Sequence, residues 1–125
     1  MTESKKKYRI GVEAALDVIS GKWKSIVFYH LATEKKRTNE LKNLIPQITQ
    51  KMLTKQLREL ERDGIINRII YKQIPPKVEY ELTEYGRSLK TALNYFCEWG
   101  ETHLDKVYGD KNSVLDNFLD NEKHC

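Results

Sequence analysis

Apolar residues fall at 12, 15, 16 and 19, the spacing of one helix face, so the pattern predicts a helix over 12–20 that Ser20-Gly21 breaks. A second stripe of Trp23, Ile26, Val27, His30 and Leu31 predicts a helix over 23–31. The charged run Glu34-Lys35-Lys36-Arg37 reads as a turn. Thr38 or Asn39 then caps a third helix, since either side chain accepts from the free N–H groups of a first turn. That helix carries Leu41, Leu44 and Ile45, and Pro46 ends it.

The clearest pattern lies at 48–64. Leu53, Leu57 and Leu60 repeat at i, i+4, i+7 and face inward, Thr49 is the N-cap, and Gly64 supplies a left-handed stop. Opposite the leucines lie Gln50, Lys51, Thr54, Lys55 and Arg58, a polar and basic face with no acid until Glu59. Residues 65–71 read as a strand by their β-branched content, and residues 78–82 alternate as a second strand. The run Lys72-Gln73-Ile74-Pro75-Pro76-Lys77 between them is a hairpin turn stiffened by its prolines.

Thr83 caps a long final helix from Glu84 onward, carrying Leu89, Leu93, Phe96, Cys97 and Trp99. A kink is expected at Gly100, after which Leu104 and Val107 continue the apolar face. Beyond Gly109 the chain turns acidic and polar, with Val114, Leu115, Phe118 and Leu119 pointing to one more short helix.

The order is helix, helix, helix-turn-helix, β-hairpin, long helix. It predicts a mainly α fold with a small β-hairpin wing (α+β), a winged helix-turn-helix that is dimeric through its long C-terminal helix. One domain spans 8–108, and 109–125 form an acidic tail. In such a module the second helix of the pair, here 49–63, lies in the DNA major groove, which is about 12 Å wide and admits a helix. The wing, 72–78, then meets the flanking backbone or minor groove.

Charge sharpens this reading. The 125 residues carry a net charge of +4, unevenly placed: 17 Lys+Arg against 9 Asp+Glu over 1–80, and 5 against 9 over 81–125. The N-terminal two-thirds is therefore the part suited to a polyanion. Hydrophobic residues make up 39% and charged residues 32%, a soluble globular balance. No apolar run approaches the ~20 residues that span a bilayer, and no apolar stretch follows Lys5-Lys6-Lys7 as a secretory signal requires. The expected location is the cytoplasm, without a membrane partner.

The outward side chains suit double-stranded DNA. Gln50 can pair bidentately with adenine, and Lys51, Lys55 or Arg58 with guanine or phosphate. Thr49, Gln50, Lys51 and Thr54 lie near the helix N-terminus and are the candidates for base edges, whereas Arg58 sits further back toward the phosphates. Lys72 and Lys77 flank the wing. Lys22 and Lys24 open the second helix beside free backbone N–H groups, a natural phosphate site. Lys35, Lys36 and Arg37 add a third basic element.

Taken together, these stretches resemble the HxlR family of bacterial winged helix regulators, relatives of the MarR group. The residues that carry the resemblance run from Val12 to Lys24 (Val12-Glu13-Ala14-Ala15-Leu16-Asp17-Val18-Ile19-Ser20-Gly21-Lys22-Trp23-Lys24), then Asn39-Glu40-Leu41 and residues 48–64. They continue with Pro75-Pro76-Lys77-Val78-Glu79-Tyr80-Glu81-Leu82-Thr83, Gly86 and Cys97-Glu98-Trp99-Gly100. The resemblance covers roughly residues 8–107. It implies a homodimeric DNA-binding repressor or activator without a catalytic site or cofactor, often responsive to electrophiles, oxidants or small aromatic compounds. Two departures stand out. Where family members often carry Cys-Pro before the first helix, this chain has Ile10 and Gly11, so the sensing thiol of that position is absent. The residue before Asn39, commonly aromatic in the family, is Thr38.

Tyr95, Phe96, Trp99, Leu104 and Val107 exceed what one helix needs against so small a core. With Val12 and Leu16 of the first helix they are the expected homodimer interface, and the cleft beside them is the expected place for any small-molecule effector. Cys97 and Cys125 are spaced too widely for a zinc ribbon or a C-x-x-C motif, and a reducing cytosol keeps such thiols free. They remain the candidate redox residues, Cys97 more as a small hydrophobe on the helix stripe. His30, His103 and His124 are isolated and make no metal site. The chain has no nucleophile–base pairing, Gly-rich phosphate loop or metal-ligand cluster, so an enzyme is not expected. The competing class is a winged helix that binds a protein partner and no specific DNA.

Overall fold

The computed structural model describes residues 5–115. In chain order these form α1 (Gly11–Ile19), α2 (Lys24–Thr33), α3 (Thr38–Leu44), α4 (Gln50–Arg62), β1 (Ile66–Tyr71), β2 (Lys77–Leu82) and α5 (Glu84–Tyr108), followed by a 3₁₀ turn, Lys111–Ser113. The strands pair antiparallel, with Ile66 opposite Leu82 and Tyr71 opposite Lys77. Winged helix architecture is thus present, mainly helical with one hairpin.

Helix α2 forms the centre because its apolar residues are not confined to one stripe. Val27, Phe28, Tyr29, His30 and Leu31 are all buried, and a helix apolar on every side must be surrounded. Leu41 of α3, Leu53, Leu57 and Leu60 of α4, Ile65, Ile66 and Leu82 of the wing root, and Leu93 of α5 close around it. Each fully buried leucine contributes about 1.5–3 kcal/mol relative to exposure, so the three on α4 fix that helix firmly. The burial of Tyr29 pushes its hydroxyl pKa up to about 12, and Tyr29 donates to Asn94 Oδ1 of α5 at 3.1 Å.

The junction between wing and α5 depends on two small residues. Thr83 Oγ1 accepts from Gly86 N at 2.8 Å, capping α5, and donates to Gly64 O at 2.6 Å. Gly86 lies so close to the start of the wing that a Cβ there would overlap the Ile65 carbonyl oxygen.

Several expectations need correction. The N-cap of α3 is Arg37, one residue earlier than expected, because Glu40 reaches back to accept from the Arg37 N–H at 2.7 Å and neither Thr38 nor Asn39 is needed. Helix α5 runs through Gly100 without interruption, and nothing lies within 4 Å of the glycine's Cβ position to force a kink. Past Gly109, whose φ is +83°, only the short 3₁₀ turn forms among the described residues; Phe118, Leu119, His124 and Cys125 lie outside them. Cys97 is not a free thiol but disulfide-bonded. Its Sγ lies 3.3 Å from the Tyr29 hydroxyl on the half-buried border of the core.

Candidate nucleic-acid interface

Helix α4 presents two faces by plain amphipathic geometry. With the leucines turned inward, the opposite side forms a shallow concavity of about 830 Å³ lined by Thr49, Gln50, Lys51, Met52, Thr54, Lys55, Arg58 and Glu59. Thr49 starts the helix as expected, its Oγ1 accepting from Met52 N at 3.0 Å, a cap worth about 1 kcal/mol. Capping settles one free N–H; those remaining, with the positive end of the helix dipole, sit beside Gln50 and Lys51. Gln50, Lys51, Lys55 and Arg58 are all exposed and Thr54 is half-buried. Glu59 is the only acid in this lining.

The turn before α4 explains its placement. Leu44 ends α3, Ile45 and Ile48 are buried at 4% and 1% exposure, and Ile48 N bonds to Ile45 O at 3.1 Å. Two buried isoleucines either side of Pro46-Gln47 therefore hold the α3–α4 angle from inside.

The other basic residues divide. Lys22 is exposed, with its ammonium 4.8 Å from the Trp23 ring centroid, and Arg37 and Lys72 are exposed. Lys24 is withdrawn from the expected contacts. It is only 5% exposed and its Nζ pairs with Glu59 Oε1 at 2.7 Å, because the start of α2 packs under α4 rather than facing outward. Lys36 is withdrawn as well. It is 9% exposed, its backbone bridges to Tyr80, and its Nζ lies 3.5 Å from Glu34. Lys77 is half-buried, stacked 4.9 Å over the Tyr71 ring with Glu79 Oε2 at 3.7 Å, so its charge is shared at the wing.

That sharing belongs to a cluster that sequence reasoning missed. Tyr71 donates to Glu79 Oε1 at 2.8 Å, and Lys35 donates to the Tyr71 oxygen at 3.3 Å. The Tyr71 hydrogen bond, reinforced by Lys77 and Lys35, holds the Glu79 carboxyl below its ordinary range. The Tyr71–Glu79 spacing across a hairpin was a visible signal; the participation of Lys35 was not. A second unforeseen link is the bridge of Lys36 to Tyr80, with Lys36 N to Tyr80 O at 3.0 Å and Tyr80 N to Lys36 O at 2.8 Å. It joins the α2–α3 turn to the outer edge of β2.

On a separate face, Val12 and Leu16 of α1 and Tyr95, Phe96 and Trp99 of α5 are exposed, flanking a groove of about 760 Å³ with Ala15, Ile19, Leu89 and Ala92 among its lining. Trp99 stacks on His103 with ring centroids 5.2 Å apart. Val107 is exposed and Leu104 half-buried further along α5. His30 is buried in the core, where desolvation lowers its pKa. No helix among the described residues is long and apolar enough to cross a membrane.

The arrangement of a basic, outward helix after a tight turn and before a hairpin agrees with relatives. Residues 18–108 match the HxlR-like helix-turn-helix family. The chain belongs to this family. It is 63% identical over 119 residues to the HTH-type transcriptional regulator YtcD of Bacillus subtilis, covering 95% of this chain and 94% of that one. Among solved structures, the redox regulator HypR in its reduced form superposes with a TM-score of 0.74 at 56% identity, covering 78% of this chain and 97% of HypR. A MarR-family transcriptional regulator from Enterococcus faecalis superposes with a TM-score of 0.73 at 39% identity, covering 85% and 96%. As a member of the HxlR family the chain is a transcriptional regulator with a helix-turn-helix domain, not an enzyme, and the family implies DNA binding.

Proposed function

We propose that this HxlR-family regulator binds an inverted-repeat operator in double-stranded DNA as a homodimer and acts as a repressor in the cytoplasm. The observation that carries the reading is the outer face of α4, where Gln50, Lys51, Thr54, Lys55 and Arg58 line one concavity beside a helix N-terminus. Gln50, Lys51 and Thr54 reach base edges and Thr49 lies at the helix start; Arg58, Lys22 and Arg37 contact phosphates. Lys72 and Lys77 bring the wing to the backbone or adjacent minor groove. The dimer uses Val12, Leu16, Tyr95, Phe96, Trp99, Leu104 and Val107. Three bulky aromatic side chains exposed in one row on α5 beside a groove in α1 support it, since contiguous apolar surface of this kind marks an interaction site. The same groove is the place for a small apolar effector. HypR is a redox regulator by name, but Ile10 stands where the family's sensing cysteine is expected, and that mechanism is not carried over.

Selection of genomic fragments at ~0.15 M salt, where non-specific phosphate binding is weakened, tests the reading. The expected product is an inverted repeat with half-site centres about 10 base pairs apart or a multiple of that, bound by two chains per duplex. Trp99→Glu is expected to halve the sedimenting mass of the free protein, because a carboxylate in an apolar interface must be desolvated without a partner. Fragments no richer in any sequence than the input, or an unchanged mass for Trp99→Glu, overturn the operator and dimer readings respectively.

A further inference from the structure

Among the described residues the concavity of α4 contains a single acid, Glu59, placed beside Lys55 and Arg58 on the wall offered to DNA. A carboxylate there opposes the phosphates that the neighbouring cations attract. It is not left bare. Lys24 reaches it from the N-terminal end of α2, Nζ to Oε1 at 2.7 Å, with the lysine side chain 7% and the glutamate side chain 27% exposed. An ammonium this deeply covered is taken out of water and needs a counter-charge, and among the described residues Glu59 supplies it. The lysine hydrogen bond also holds the Glu59 carboxyl below its ordinary range.

We propose that Lys24 is a positioning and charge-masking residue for DNA binding, holding the Glu59 carboxylate against α2 and cancelling its charge toward the phosphates without itself touching DNA. The proposal rests on the DNA-binding reading above. It adds a residue outside the direct DNA contacts, since Lys24 acts through Glu59. An apolar pair of similar volume would serve packing between α2 and α4 equally well. What an ion pair adds here is the neutralisation of one charge at the edge of a cationic surface, together with a directional link between the two helices.

The test is a mutant cycle of Lys24→Met, Glu59→Gln and the double variant, read by anisotropy on the duplex best retained by the wild-type chain. Thermal melting of each variant is recorded alongside. Lys24→Met leaves the carboxylate uncancelled and is expected to weaken binding about tenfold at low salt, with a flatter dependence of affinity on salt. Glu59→Gln keeps the shape without the charge and is expected to stay within about threefold of wild type. The double variant is expected to recover to that same level, although its packing is no better than that of Lys24→Met. Lys24→Arg, which retains the cation, is expected to bind like the wild type. A purely structural role predicts the opposite: affinity tracking the melting temperature, with no recovery in the double variant, and that outcome overturns the proposal. So does wild-type affinity in Lys24→Met. If the wild-type chain itself retains no duplex, the DNA-binding reading fails and this inference falls with it; wild-type binding with a flat cycle overturns this inference alone.

Discussion

Reversing Lys51 and Lys55 together to glutamate is expected to weaken duplex binding at least about a hundredfold at ~0.15 M salt. Both side chains are exposed on the outer face of α4 and take part in no ion pair among the described residues. The change therefore removes two cations and places two anions against phosphate, and each like-charge juxtaposition is costly in a partly desolvated interface. The folded state should change little: glutamate has a helix propensity close to that of lysine, at position 51 in the first turn of α4 it favours the helix dipole, and its new repulsion with Glu59 from position 55 costs only about 0.5 kcal/mol. The slope of log affinity against log salt is expected to fall by about one, for the phosphate that Lys55 no longer neutralises. Circular dichroism should be unchanged. Undiminished binding would remove α4 from the interface. Abolished DNA binding with an unaffected protein partner would separate the regulator reading from that of a protein-binding winged helix.

Gly86→Ala is the variant expected to damage the fold most. An added Cβ overlaps the Ile65 carbonyl oxygen, and its other neighbours are the Ile65 carbonyl carbon and Cγ2. Backbone cannot step aside as a flexible side chain does. The first turn of α5 must lift away from the wing root, stretching the Thr83 bonds to Gly64 O and Ile65 O that tie the two together. The expected loss is about 3 kcal/mol, a fall of roughly 10–15 °C in melting temperature for a domain of this size. Gly11→Ala is the contrasting case. Nothing lies within 4 Å of its Cβ position, and the shift should stay within about 0.5 kcal/mol. Equal melting of the two variants would mean that α5 is not packed against Ile65 as described.

Helix α4 was legible because its burial repeats with the helical period, whereas α2, read as a single stripe, is buried on every side. Leu53, Leu57 and Leu60, bracketed by Thr49 and Gly64, specify α4 and its outward face without reference to the rest of the chain. The hairpin was legible for a similar reason, from β-branched residues interrupted by prolines. What periodicity does not carry is contact between elements. Lys24 and Lys36 look like any surface lysine in one dimension, and only the packing of α2 beneath α4 and of the α2–α3 turn against β2 buries them. Glu40 outcompeting Thr38 and Asn39 for the start of α3 is local, yet it depends on which of two overlapping caps the preceding backbone permits. The disulfide state of Cys97 was likewise invisible in one dimension.

The bridge between Lys36 and Tyr80 changes how the wing behaves as a mechanical part. A hairpin anchored only at its root swings from there, with its whole length as the moving arm. Here a pair of backbone hydrogen bonds clamps β2 partway out, at Tyr80, and Tyr71, Glu79 and Lys35 brace the next pair of residues. The arm left to bend is short, little more than residues 72–76. Such a cantilever is stiff at the base and compliant at its end, so in the proposed DNA complex the tip would follow local variation in groove width while the distance from α4 to the wing base stays fixed. Sequence changes in the tip should alter what the wing touches without altering where α4 sits, which separates the two halves of recognition into independently adjustable parts.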